Sequence, residues 1–265
     1  GADGQEITTT EPSTAPQGGN DNPPQGGNDE PTIKGPEADV LPSTKAEILA
    51  EYKKIMDQAK NVDKPGYTKL EYQELPKDKQ DVRKGSVKMS IVNMLAGLFM
   101  TKKDKAAPEV KEKGSDMRWF PVYKATAGCL LTDASKVKSA DCKKSGNNYV
   151  LTIVLNSEDN PEPAADKATS APSATGGIFS PLSRADIDNT LVNDERVSKY
   201  IKDFDYKLTY HDCKAVLTYN PETGHIVSLE QYMYVTIVAK GDILGTAFDA
   251  TAELNNVMTI NKFTY

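Results

Sequence analysis

The segment Val227-Ser228-Leu229-Glu230-Gln231-Tyr232-Met233-Tyr234-Val235-Thr236-Ile237 decides the class of the fold. Val227, Leu229, Met233, Val235 and Ile237 alternate with side chains of another character. That two-residue period belongs to a β-strand with one buried face. Upstream, Phe204–Tyr219 reads as extended and ends in Asn220-Pro221-Glu222-Thr223-Gly224, where Pro suits the first bend position and Gly supplies a positive φ at the exit. Downstream, Lys240-Gly241-Asp242 reads as a second turn. Thr246, Phe248, Ala250, Ala252 and Leu254 then alternate against Ala247, Asp249, Thr251 and Glu253. Asn255-Asn256 suits a tight hairpin, and Val257–Tyr265 completes a meander. Along the first strand the apolar phase runs Tyr206, Leu208, Tyr210 and then Cys213, Ala215, Leu217, Tyr219. A β-bulge or a turn at His211-Asp212 accounts for the flip.

Such a sheet needs a cover for its apolar face. Thr44-Lys45-Ala46-Glu47 is a capping box, and Ile48, Leu49, Tyr52, Ile55, Met56 and Ala59 follow at helical spacing. The pattern predicts helices over 44–60, 84–102 and 184–202, the last capped by Ser183. Tyr67–Leu75, with Thr68, Leu70 and Tyr72 on one face, reads as a strand, as do Thr126–Thr132 and Tyr149–Asn156. The expected fold is α+β: a curved antiparallel sheet with about three amphipathic helices on its concave side. It forms a single domain over 43–265, with a flexible internal loop at 157–182 that is rich in Pro, Ala, Ser, Asp and Gly.

Residues 1–42 have another character. They hold eight carboxylates (Asp3, Glu6, Glu11, Asp21, Asp29, Glu30, Glu37, Asp39) against the single base Lys34. Their net charge of −7 leaves the rest of the chain near neutral within a total of −6. Pro16-Gln17-Gly18-Gly19-Asn20-Asp21 recurs as Pro24-Gln25-Gly26-Gly27-Asn28-Asp29. No aromatic residue is present, so the segment is expected to be a disordered tether. The body has no basic stripe, which argues against a nucleic-acid partner. Met89–Met100, the longest apolar-rich stretch, is too short to span a bilayer. An acidic Thr/Pro/Gly-rich tail before a folded body resembles the tether of bacterial surface lipoproteins. The resemblance implies an N-terminal lipid anchor as the only membrane attachment, on the extracellular face of a bacterial membrane, or a secreted protein. The lipidated Cys of that family is not present in the sequence, and Gly1 would stand where it was, so the anchor is inferred; a linker to another domain is the alternative. No Asn-x-Ser/Thr acceptor occurs.

The three cysteines, Cys129, Cys142 and Cys213, are too few for a stapled scaffold. A hairpin turning at 135–136 would set Cys129 opposite Cys142 as a disulfide, although pairings with Cys213 are equally permitted. His211 and Cys213 are two residues apart and could act as base and nucleophile on an unbroken strand. A structural Cys and a surface His are the plainer reading, and His225 follows the turn at an exposed position. Asp186, Asp188, Asp194 and Glu195 miss the calcium-loop spacing and suit a helix start. Asp203 and Asp205 lack a third ligand. Lys-Gly-Asp is good turn chemistry. No phosphate loop, Gly-x-Ser-x-Gly, His-Glu-x-x-His or Cys-x-x-Cys is present. No metal, cofactor or catalytic residue is expected.

Tyrosine is over-represented, 12 against 6 Phe and 1 Trp. Tyr206, Tyr210, Tyr219, Tyr232 and Tyr234 on neighbouring strands, with Trp119, are the candidate ligand or partner contacts; a covered second core layer is the alternative. The order of elements over 44–265 resembles the half-barrel of bacterial lipoprotein carriers and related surface lipoproteins. That resemblance implies a non-enzymatic protein holding an acyl chain or another small apolar ligand between sheet and helices. The alternatives are a module that binds another envelope protein through an exposed Tyr-rich face, and a hydrolase with an unrecognised site.

Overall fold

The computed structural model describes residues 40–84 and 95–265. The tether expected over 1–42 lies outside the described residues up to Asp39, as do 85–94 of the helix expected over 84–102; at the ends of that helix Lys84 belongs to a strand and the helix stops at Ala96, because 97–99 turn and Lys102 bridges to Gln73. Thr44 caps α1 (Lys45–Gln58) as its capping box requires: the Glu47 N–H donates to Thr44 Oγ1 at 3.2 Å and the Thr44 N–H to Glu47 Oε2 at 3.0 Å. Ile48, Leu49, Tyr52, Ile55 and Met56 form the buried stripe. Each fully buried aliphatic side chain there contributes roughly 2 kcal/mol. The helix then widens into a π turn, Ala59–Asp63, and stops at Lys64, whose φ is 44°.

Among the described residues, nine strands form one open antiparallel sheet. They are β1 (Gly66–Glu74), β2 (Asp81–Lys84), β3 (Glu109–Lys111), β4 (Val137–Ser145), β5 (Asn148–Leu155), β6 (Glu158–Asp159), β7 (Ile201–Tyr219), β8 (Ile226–Ile243) and β9 (Thr246–Thr264). The order is β3-β1-β9-β8-β7-β5-β4, with β2 pairing β9 beyond the end of β1 and β6 pairing β7. The α+β class with an antiparallel meander is therefore as the sequence indicates.

The turn after β7 is also as expected. The Gly224 N–H donates to the Asn220 carbonyl, Asn220 Oδ1 accepts from the Glu222 and Thr223 N–H groups, and Gly224 has φ 73°. The bulge in β7 is real. Its register against β8 shifts between His211 and Lys214, with Asp212 at φ 50°. The shift returns Cys213, Ala215, Leu217 and Tyr219 to the face that buries Tyr206, Leu208 and Tyr210. A second shift lies at Lys202/Asp205. Both bend the strand.

Five expectations need correction. Lys240-Gly241-Asp242 stays in β8; the chain turns at Leu244-Gly245, φ 53° and 80°, the two-residue connection that matches strand twist. Asn255-Asn256 does not turn, because Tyr234 and Met233 of β8 pair with them on one side and Glu74 and Gln73 of β1 on the other. Pairing on both edges outweighs local turn preference. The helix over 184–202 is broken into α3 (Arg184–Asp188), a π turn (Asn189–Asn193) and α4 (Glu195–Ser198). Asp194 leaves the helical region and caps the last piece, and Ile201 already pairs with Ile243. Residues 126–132 form no strand: Asp57 Oδ1 accepts from the Gly128 N–H at 2.8 Å, and Lys53 Nζ donates to the Cys129 carbonyl at 2.7 Å, clipping this segment to α1.

The fifth concerns residues 157–182, which are a packed strap rather than a flexible loop. Ala174–Phe179 is buried, including α2 (Ala174–Ile178). The Glu158 carboxylate accepts from the Ala174 N–H, the Thr175 N–H and Thr175 Oγ1 at 3.2, 2.9 and 2.8 Å. A Cβ on Gly177 would sit 2.9 Å from Ala171 Cβ and Leu131 Cβ, so only glycine lets the strap lie this close.

Val40–Tyr265 forms one unit. Its main core joins α1 to the inner face of β5, β7 and β8 through Leu151, Ile153, Leu217 and Leu229.

Candidate functional site

The inner face of the sheet carries two adjoining hollows of opposite character. The first is dry. Phe204, Leu208, Ile237, Phe248 and Leu254 form its floor, and Leu95, Phe99, Met100, Leu182, Ile187 and Leu191 face them across a cavity of 160 Å³. The space exists because small residues meet on the floor: Ala239 pairs directly with Ala250, and Ile237 with Ala252.

The second hollow is wet, and β1 makes it so. Thr68, Leu70 and Tyr72, the apolar alternation read in the sequence, share the outer face with Val257 and Tyr232. Lys69, Glu71 and Gln73 consequently point inward. Gln73 Nε2 donates to Asn256 Oδ1 at 2.5 Å, and Asn256 Nδ2 to Glu71 Oε1 at 3.3 Å. Lys69 Nζ stands 3.6 Å from Glu71 and 3.8 Å from Glu109. Gln231, 4% exposed, donates to the Ile178 carbonyl at 3.0 Å and to Tyr52 Oη at 3.4 Å. Burial therefore costs these amides little, since their groups are paired. Strap residues such as Glu162 and Asp166 wall the cleft, whose volume is 510 Å³. At its rim the Trp119 and Tyr123 rings stack, centroids 3.8 Å apart and planes 14° from parallel, with Trp119 44% exposed. Lys124 Nζ lies 4.8 Å over the Tyr123 ring.

The structure divides the candidate tyrosines between two faces. Tyr206, Tyr210 and Tyr219 are buried on the inner one. Tyr206 Oη donates to Asp188 Oδ1 at 2.8 Å, and the Arg184 guanidinium covers its ring at 4.4 Å. Burial, helped by Asp188, lifts this phenol well above its ordinary range. Tyr210 Oη accepts from the Leu182 N–H at 3.0 Å, and burial pushes its pKa up to about 12. Tyr219 Oη donates to Glu51 Oε1 at 3.0 Å, and burial followed by the Glu51 charge raises it. Of the three, only Tyr206 lines the dry hollow. Tyr232 and Tyr234 are on the outer face, half-buried, with Lys214 Nζ 4.8 Å over the Tyr232 ring. The five tyrosines therefore do not share one face.

The bulge also separates His211 from Cys213. The His211 ring lies on the outer face, stacked near Tyr234, with its Nδ1 3.2 Å from Asp212 Oδ2 and its Nε2 against Glu253 Oε1. Cys213 is buried inside, and burial pushes its thiol up to about 12. No nucleophile–base pair arises there. The disulfide expectation is likewise overturned: Cys129, Cys142 and Cys213 are free. Cys142 lies on β4 opposite Leu151, whereas Cys129 sits in the segment clipped to α1, because 134–136 is a short 3₁₀ turn entering β4 rather than a hairpin tip.

The wet-cleft residues Lys69, Glu71, Gln231 and Asn256, with Gln73 behind Asn256, were not singled out from the sequence. The available signal was a break in alternation: Gln231 occupies the apolar phase between Leu229 and Met233, and Asn256 that between Leu254 and Met258. Comparison with protein-family models, with curated proteins and with solved structures finds no match to this chain.

Proposed function

We propose that this domain is a non-enzymatic binding protein of a cell envelope, tethered through its acidic N-terminal segment, that holds a small apolar ligand in the dry hollow. One observation carries the reading: on the inner face of the sheet, three alanines leave a partly open 160 Å³ space lined by apolar side chains and Tyr206. An apolar cavity of about 150 Å³ stays dry and accepts a benzene-sized guest. The ligand is accordingly one that seats a short alkyl group or a single ring in the hollow. The alternative of partner docking through a tyrosine face retains only Tyr232 and Tyr234.

The test is a thermal-unfolding series with toluene and 1-hexanol on the wild type and on Ala250→Leu, which fills the hollow from its floor. A specific ligand binds only the folded form, so the wild-type Tm rises while that of the filled variant does not. Equal responses, or none, would remove the reading. Native mass spectrometry of gently purified protein then identifies any retained natural ligand.

A further inference from the structure

We infer that the wet cleft is a second binding site, specific for a neutral saccharide of one to a few pyranose rings. Strand β1 is inverted relative to the other long strands: its polar side chains lie on the inner face of the sheet and its apolar ones face out. Turning Lys69 and Glu71 inward would be a net cost in a sealed core, where each polar group must find a partner. It suits a cleft that admits a polar molecule.

The chemistry of the lining narrows the class. Lys69 Nζ stands 3.6 Å or more from both neighbouring carboxylates, outside hydrogen-bond distance, so its N–H groups can serve an incoming oxygen. Asn256 uses one N–H on Glu71 and its oxygen on Gln73, which leaves a further Asn256 N–H beside the Glu71 carboxylate. Donors and acceptors are thus interleaved, as hydroxyl groups that both donate and accept require. Around the cleft, Lys69 and Lys124 meet four carboxylates, Glu71, Glu162, Asp166 and Asp186. This negative balance repels phosphate and carboxylate ligands. At the rim the Trp119–Tyr123 stack offers a flat, partly exposed ring surface for the C–H face of a pyranose. The cleft volume of 510 Å³ lies in the range of small-molecule sites.

Trp119 is the one tryptophan in the chain, so its fluorescence reports this rim without labelling. The full chain is screened on an array of neutral mono- to tetrasaccharides. The strongest glycan is then titrated by Trp119 fluorescence, with glucose 6-phosphate in parallel as the anionic probe. Saturable binding of a neutral glycan, with weaker or absent binding of the phosphate, is expected. Calorimetry on Trp119→Ala and on Glu71→Gln should each show an affinity loss of about tenfold or more, from the missing stacking surface and the missing charged acceptor. The Trp119→Ala circular dichroism spectrum should stay native because the side chain lies at the surface, and Tyr123→Ala provides a second rim variant. Three results would overturn the assignment: no array glycan binds, the phosphate binds as tightly as the neutral sugar, or the folded rim variants bind like the wild type.

Discussion

Replacing Glu158 should release the strap while leaving the sheet intact. Glu158 lies on β6 opposite Tyr210, and its carboxylate holds two backbone N–H groups and one hydroxyl of the strap. Thr175 is buried, so water cannot take over those groups without local opening. A hydrogen bond to a charged acceptor contributes about 1.5–3 kcal/mol net, and an orphaned buried donor costs a similar amount. Two N–H donors and a hydroxyl that can rotate to another partner give about 3–5 kcal/mol for Glu158→Ala. Glu158→Gln keeps one carbonyl oxygen but turns an NH₂ toward a donor, for about 1.5–2.5 kcal/mol. The assays are urea unfolding followed by circular dichroism, and hydrogen exchange over residues 160–180. If the strap opens separately, its amides lose protection by about a thousandfold in Glu158→Ala while β7–β9 amides keep theirs. A Glu158→Ala protein within about 1 kcal/mol of wild type, with unchanged strap exchange, would refute the reasoning.

Two further outcomes are expected. With a thiol reagent at neutral pH, half-buried Cys142 should react in the folded protein, whereas Cys129 and Cys213, both pushed up to about 12 by burial, should react only after unfolding; peptide mapping after labelling reads this. Lys60 is buried with its Nζ donating to the Val122 carbonyl at 3.1 Å, and burial brings it down to about 8 against partial support from Asp116 and Asp57. Below pH 8 both folded and unfolded chains hold that proton and the folded one bears the full desolvation cost. Between about pH 8 and 10.5 only the unfolded chain still binds it, so this group makes stability rise with pH across the window. Lys60→Met should therefore be more stable than wild type at pH 7, and its advantage should shrink toward pH 10; a constant difference between the two urea midpoints would contradict the assignment.

The meander was legible because strand alternation, the Asn220–Gly224 turn and the phase flip at His211-Asp212 are local signals that tertiary contacts reinforce. Legibility failed where distant partners decide. Asn255-Asn256 has strong local turn character, yet it is clamped between β1 and β8. The periodicity over 184–202 continues through Asp194, but the side chain of Asp194 caps a new helix and Ile201 has a strand partner. The dry hollow was anticipated only as space between sheet and helices; its exact floor depends on Ala239 meeting Ala250 across a register the sequence does not state. The wet cleft is the most instructive case. Thr68, Leu70 and Tyr72 announced a strand face correctly, but alternation alone does not say which face turns toward the core. The polar interruptions Gln231 and Asn256 held that information, and only the β1–β9 register gives it meaning.

That same register has a consequence for how the chain assembles. Strands β7, β8 and β9 are joined by short turns and can zip together as successive hairpins. Strand β1 instead forms its long ladder with β9, the last of the nine strands to be synthesised. A nascent chain emerging N-terminal end first therefore carries β1 without its partner until almost the whole domain is made. The backbone edge of β1 that will pair with β9 is open for that interval, a period in which a holding chaperone or an unfolded export route would protect the chain from pairing with another copy of itself.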